Sequence, residues 1–162
     1  MQFKGHFNLE VVSELIKDES PRGAVIVACA FCDETLGTML GNARASFSRR
    51  IDDALTWGLL TPNEHEDLDS LRKLRNEFAH NMRVNDFDAS SNAKVSAMKL
   101  WTTASAARPI DRVIRTTLHQ LLFVVGTIGF RLQHRTKPAT PTGPLPEPSV
   151  FEFDAWPPVT SL

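Results

Sequence analysis

The stretch LRKLRNEFAH, residues 71–80, contains side chains whose types and spacing could cleave RNA without a metal ion. Arg75 and Asn76 are adjacent, and His80 follows four residues later. A histidine can accept the proton of a ribose 2′-hydroxyl near neutral pH. A guanidinium can neutralise the charge that develops on phosphorus, and an asparagine can hold the histidine or the phosphate by hydrogen bonds. The alternative is that the three residues are the polar edge of an ordinary helix.

The apolar residues of this stretch predict a helix with one side toward the core. At 100° per residue, the leucines and phenylalanine of 68–78 share that side. Asn76 and His80 are neighbours on the far side, and Arg72 extends the same stripe. Arg75 falls close to the core-facing side. The stripe is therefore expected to face outward, with Arg75 at its inner margin.

The position of Arg75 leads to two expectations. A guanidinium that points partly inward needs a carboxylate, and Asp33 or Glu34 on the preceding central helix is the expected partner. Arg75 and His80 lie about 140° apart on an ideal helix. They can meet on one substrate only if the helix unwinds near His80, or if a second copy of the chain supplies the other group.

Helical patterns dominate the rest of the chain up to about residue 135. Ser20-Pro21 and Thr61-Pro62 are typical helix starts, with a capping residue followed by proline in the first turn. The predicted helices cover residues 7–19, 21–40, 46–57, 62–80, 93–104 and 109–134. We therefore expect an all-α fold, a helical bundle of five to six helices with a disordered proline-rich C-terminal tail.

The tail differs from the bundle in composition. Seven of the ten prolines lie in residues 136–162, which predicts a flexible, partly polyproline II segment. The domain division is therefore a bundle over 1–135 and a tail over 136–162. The end of the tail, VFEFDAWPPV, has three aromatic residues and two acids. This end is either solvated or a contact site for a protein partner.

Charge limits the ways in which the chain could bind nucleic acid. Its 18 basic and 19 acidic residues give a formal net charge of -1, so no overall field attracts nucleic acid or anionic lipid. Any such contact must be local. The candidate contacts are Arg44, Arg49 and Arg50, with Arg72 on the Arg75 helix. For Arg44, Arg49 and Arg50 the favoured alternative is that they pair with nearby acids.

The two cysteines, Cys29 and Cys32, form a C-x-x-C within an apolar stretch. No second pair of cysteines or histidines accompanies them, so buried free thiols are expected rather than a redox or zinc site. We expect no metal and no cofactor. No signal peptide is visible, and the apolar run LLFVVGTIGF has ten residues, whereas a membrane span needs about 20. A cytoplasmic protein without a membrane span is predicted.

Residues 15–85 resemble the mannitol operon repressor family in order and spacing. The matching segments are DESPRGAVIVACAFCDETLGTML, SFSRRIDDALTWGLLT and DLDSLRKLRNEFAH. The family is all-helical, and its members are regarded as transcriptional regulators although they lack a recognisable DNA-binding motif. The resemblance implies a regulatory protein that acts through protein partners or by indirect contact with nucleic acid.

The segment RNEFAH, residues 75–80, is also similar to the signature of HEPN domains, which are helical bundles with ribonucleases and toxins among their active members. The signature is Arg, a polar residue, a short spacer and His. This second resemblance implies catalytic roles for Arg75, Asn76 and His80, an RNA substrate, and a homodimer with the motif at its interface. A metal-independent endoribonuclease, in toxin or defence biology, is therefore the alternative to the regulator.

Overall fold

The structure is a computed structural model that describes residues 14–107, 114 and 116–149. Residues 14–16 form a helical turn, and no described residue lies in a strand. The prediction of an all-α bundle is confirmed. The helices are α1 (Pro21–Leu40), α2 (Phe47–Thr56), α3 (Pro62–His80), α4 (Ala89–Ser96), α5 (Lys99–Ala107) and α6 (Thr117–Gln133).

Helix α1, which was expected at the centre of the bundle, packs against α2, α3 and α6 on one side and exposes Ile26, Glu34 and Thr38 on the other. The Ser20 hydroxyl accepts a hydrogen bond from the Gly23 N–H at its start, and Gly41 ends it in the left-handed conformation, with φ 71°. By length and composition α1 could cross a membrane, although a core helix of a soluble protein passes the same test. The expectation that the chain has no membrane span was based on the apolar run near the C-terminus and not on α1. That expectation stays a prediction.

The starts of α2 and α3 follow local capping chemistry. Ser46 accepts a hydrogen bond from the Arg49 N–H. Thr61 and Glu64 form a reciprocal capping box, in which each side chain accepts from the other residue's N–H. Both starts were predicted and are confirmed, because capping depends on residues within one turn.

Two predicted helix boundaries are wrong. The helix expected over 93–104 is two helices, since the carboxylate of Asp67 in α3 accepts hydrogen bonds from the N–H groups of Lys99 and Leu100 and so starts α5 separately. The long helix expected from Pro109 begins instead at Thr117, where Thr116 accepts from the His119 N–H. Residues 108–113 and 115 lie outside the described part of the chain.

Residues 136–149 have no regular secondary structure, as expected for a proline-rich segment. They nevertheless lie on the bundle, across the turn between α2 and α3. The N–H groups of Gly143 and Leu145 donate to the carbonyl oxygens of Thr56 and Leu60, each at 3.0 Å. We call residues 136–149 the strap. The remainder of the predicted tail, and the start of the predicted first helix, lie outside the described residues.

Candidate functional site

The C-terminal half of α3 carries the residues that the sequence singled out. The helix continues to His80, and the Asn81 N–H donates to the Glu77 carbonyl at 3.0 Å. Arg75 and His80 are exposed and Asn76 is half-buried. Because the helix does not unwind near His80, its ideal geometry keeps Arg75 and His80 on different sides. Within one copy of the chain, the two groups do not converge.

The expected pairing of Arg75 with Asp33 or Glu34 is wrong. Arg75 is exposed, and among the described residues no ion pair joins it to an acid. Asp33 instead binds Arg50, with 2.5 Å between Nη1 and Oδ1, and Glu34 is exposed. The long side chain of Arg75 reaches solvent at the margin of α3, which avoids the cost of burying its charge.

Arg50 was a candidate contact to nucleic acid, but it is buried, with 9% of its surface exposed. Its guanidinium also donates to the carbonyl oxygens of Asn42 and Ala43, at 3.3 and 2.8 Å. Glycine at position 37 makes room for it, since a Cβ there would lie 2.7 Å from the Arg50 Cζ. This arginine therefore joins α2 to α1 and is not available to contact nucleic acid.

The other three candidate contacts remain on the surface. Arg49 pairs with Asp53 at 2.9 Å, and Arg72 pairs with Asp69 at 2.7 Å. Partial burial acts to raise the pKa of Asp69, but hydrogen bonds from Lys73 and Arg72 outweigh it and leave that pKa lowered. Arg44 is exposed in the turn between α1 and α2. Arg44 lies in the turn before α2, Arg49 in the first turn of α2 and Arg72 on α3, and the acid partners of Arg49 and Arg72 make these two side chains less available to a phosphate.

Both thiols of the C-x-x-C are buried and free, as expected. Burial raises the pKa of Cys29 to about 12, and the positive charge of Arg75 opposes that rise. Burial also raises the pKa of Cys32. Both are therefore protonated at neutral pH and are poor nucleophiles. The Cys29 thiol donates to the Leu71 carbonyl at 3.4 Å, so this part of α1 lies against α3 one turn before Arg75.

A groove lies on the opposite flank of α3 from Arg75, between the end of that helix and α4. Its volume is about 390 Å³. Leu74 and Phe78 form a mostly buried apolar floor, and the rim is polar. We call it the α3–α4 groove; it is lined by Leu74, Glu77, Phe78, Asn81, Val84, Asp88, Ser90, Ser91 and Lys94. Arg75, Asn76 and His80 do not line it, so the motif and the groove are neighbours rather than one site.

Sequence reasoning missed the two buried acids of α3. Glu64 is fully buried and binds Arg131 at 2.9 Å and Arg135 at 2.5 Å. Asp67, also buried, holds the start of α5, and burial raises its pKa to about 6 while the two N–H donors oppose that rise. The capping spacing of Thr61 and Glu64 was visible in the sequence, but the two arginines lie more than 60 residues away.

In the part of the chain that the structure describes, no group of three or more histidine, cysteine or acidic residues could hold a metal ion. The comparisons with known proteins add no further constraint: no family model, no curated protein and no solved structure matches this chain. The two family resemblances, the homodimer and the cytoplasmic location therefore stay predictions.

Proposed function

We propose that the protein is a helical regulatory protein of the mannitol-repressor-like kind, which acts through protein partners or by indirect contact with nucleic acid. The observation that supports this most is the outward face of α3. Arg75, Asn76 and His80 make no side-chain hydrogen bond or ion pair with any other described residue. A helix that is firmly packed on one side and offers unpaired polar groups on the other can select a partner by charge and hydrogen bonding.

The arrangement of charge favours binding over chemistry in a single copy. Catalysis needs the acid–base group and the charge-stabilising group around one reacting atom. The unbroken helix holds Arg75 and His80 apart, and the net charge of -1 gives no general attraction for a polyanion. A protein partner with an acidic surface is a better match to this face.

The test compares complexes formed in cells by the wild-type chain and by Arg75→Glu. We expect a defined partner to be recovered with the wild type and to fall at least tenfold in amount with Arg75→Glu, because a like charge replaces an attraction at the contact. Arg44→Glu is the matched control, since Arg44 is also exposed but lies in the turn between α1 and α2. Equal recovery with all three proteins would contradict the proposal.

A second candidate function is a metal-independent endoribonuclease of the HEPN type, working as a homodimer. The observation that favours it is that no acid of the described residues pairs with Arg75, which leaves its exposed guanidinium able to meet a phosphate. In this reaction His80 accepts the 2′-hydroxyl proton and the 2′-oxygen bonds to phosphorus. The bond to the 5′-oxygen then breaks, and water supplies the proton that this leaving oxygen takes up. Arg75 neutralises the pentavalent phosphorane, and Asn76 holds the histidine or the phosphate. A second copy must supply one of the two groups.

The ribonuclease is tested by incubating the protein with total RNA in EDTA. Cleavage that survives EDTA and disappears in His80→Ala would replace the regulatory proposal by this one. His134→Ala is the matched control, because His134 is an exposed histidine at the end of α6. Intact RNA with the wild type, at a protein concentration where a dimer has been demonstrated, would exclude the ribonuclease.

A further inference from the structure

The strap is fixed along a line that leads to the start of α3. Lys137 donates to the Leu40 carbonyl at 3.0 Å and lies over the Trp57 ring, 4.1 Å from its centroid. Further along, the Asn63 N–H donates to the Glu147 carboxylate at 2.7 Å. An acid bound at a helix N-terminus is also stabilised by the helix dipole. The chain therefore leaves the strap at the first turn of α3.

The α3–α4 groove lies on the same side of α3 as this exit. Asn63 and Leu74, a residue of the groove floor, are 11 residues apart, which corresponds to about 17 Å along the helix and about 20° around it. Phe153 is six residues beyond Glu147, and six residues can span up to about 20 Å. An aromatic residue of the chain end can therefore reach the groove by following the face of α3.

The groove suits an aromatic side chain better than a charged one. Its base is closed by Leu74 and Phe78, which are 1% and 3% exposed, and its accessible apolar surface includes Val84, half-buried at the side. Its rim is already paired: Lys94 binds Glu77 at 2.5 Å, and Asp88 accepts hydrogen bonds from Ser91. Hydrogen bonds from the Ser91 N–H and hydroxyl lower the pKa of Asp88, so it is charged at neutral pH. An entering phenyl ring leaves these pairs intact.

We propose that residues 150–162 of the same chain bind in the α3–α4 groove, with Phe153 on its apolar floor. The alternative binding site on this helix is the surface around Arg72 and Arg75, which we call the arginine stripe. It would attract the acids on either side of Phe153, but it forms no described apolar cavity. This inference does not rest on the proposed function. Because Asn81 lines the groove and directly follows His80, a bound segment would cover the end of the helix that carries the motif.

Binding of the segment in the α3–α4 groove and binding to the arginine stripe should respond to salt in opposite ways. The rim of the groove holds two acids and one base, Glu77, Asp88 and Lys94, and the segment holds Glu152 and Asp154. Both are net negative, so screening by salt favours binding in the groove. Binding to the arginine stripe would be weakened by salt instead.

Limited proteolysis of the full chain with chymotrypsin tests the proposal, because this protease cuts after Phe151 and Phe153 of the segment. In the wild type we expect cleavage after Phe153 about tenfold or more slower than in a free peptide of residues 150–162, as a buried phenylalanine would give. Val84→Asp should restore fast cleavage. Met82→Asp, a change of an exposed residue in the same loop, should leave cleavage slow, and the melting temperature shows whether each variant is folded.

Phe153→Ser keeps the test decisive if Val84→Asp fails to fold, because it alters no residue of the bundle. Hydrogen exchange of the amides around Val84 and Asn81 should speed up at least tenfold in Phe153→Ser. Exchange that matches the wild type, or cleavage of the wild-type segment as fast as the peptide, would overturn the proposal. So would protection that fades with added salt, or protection that rises with protein concentration and therefore comes from a second copy.

Discussion

Replacing Glu64 by glutamine tests whether a buried charge network joins α3 to α6 and to Arg135, the residue before the strap. One carboxylate, with no exposed surface, receives hydrogen bonds from the Thr61 N–H and from the guanidinium groups of Arg131 and Arg135. Arg135 also donates to the Leu59 carbonyl at 2.8 Å. The network therefore joins the last turn of α6 to the first turn of α3.

The magnitude follows from what Glu64→Gln leaves behind. Removing one partner of a buried pair costs about 3–5 kcal/mol, because the other charge stays in place uncompensated. The two arginine side chains retain 15% and 18% exposure, and an amide can still accept one hydrogen bond, so we expect the lower limit, about 3 kcal/mol. For a chain of this size, that lowers the melting temperature by roughly 6–12 °C.

The assay is urea unfolding followed by helical circular dichroism at neutral pH. Glu66→Gln is the matched control: it lies on the same helix, is 59% exposed, and its ion pair with Lys99 is 3.6 Å long, so its effect should stay within about 0.5 kcal/mol. The loss in Glu64→Gln should persist in 0.5 M salt, since buried charges are screened weakly. Equal unfolding midpoints for the two variants would refute the reasoning.

Three further predictions follow from the fold. Burial raises the pKa of Asp67 from 3.8 to about 6, so the folded state binds the proton more tightly than the unfolded state. The stabilising contribution of Asp67 is therefore full below about pH 4 and is lost by about pH 6, a change of up to about 3 kcal/mol in the free energy of unfolding. Asp67→Asn should remove this dependence of the free energy of unfolding on pH, measured by chemical unfolding across that range. An unchanged dependence would contradict the assignment. Gly58→Ala should lower the melting temperature more than Gly41→Ala. Both glycines have a positive φ, but only at Gly58 would a Cβ meet a neighbour, 2.1 Å from the Thr142 hydroxyl oxygen. Equal melting temperatures for the two variants would show that the strap does not pack against Gly58. His80→Ala should melt within about 1 °C of the wild type, since an exposed residue without a partner among the described residues contributes little, and a large loss would reveal a structural role.

Local chemistry explains why the sequence predicted the starts of α1, α2 and α3 correctly. Ser20, Ser46 and Thr61 each bond to an N–H three residues ahead, so the signal and its partner lie in one turn. The same locality explains the error at α5. Its start depends on Asp67, which is more than 30 residues away and reads in the sequence as one of several acids in the first turns of α3.

Long charged side chains were the main source of error at the candidate site. Helical geometry correctly put Asn76 and His80 away from the core, because those positions depend only on periodicity. Helical geometry could not show which arginine pairs with Asp33, since Arg50 and Arg75 were both candidates on different helices. Glycine at position 37 decided that choice by leaving space for the Arg50 guanidinium.

The sequence by itself determined an all-α bundle, its capped helices, two buried thiols and an outward Asn76–His80 stripe, because each depends on periodicity or on residues within one turn. Only the tertiary structure decided which arginine is buried, how Glu64 joins the last turn of α6 to the first turn of α3, and that the strap lies on the bundle. Those outcomes depend on groups far apart in the chain, whose distances are fixed only when the helices pack.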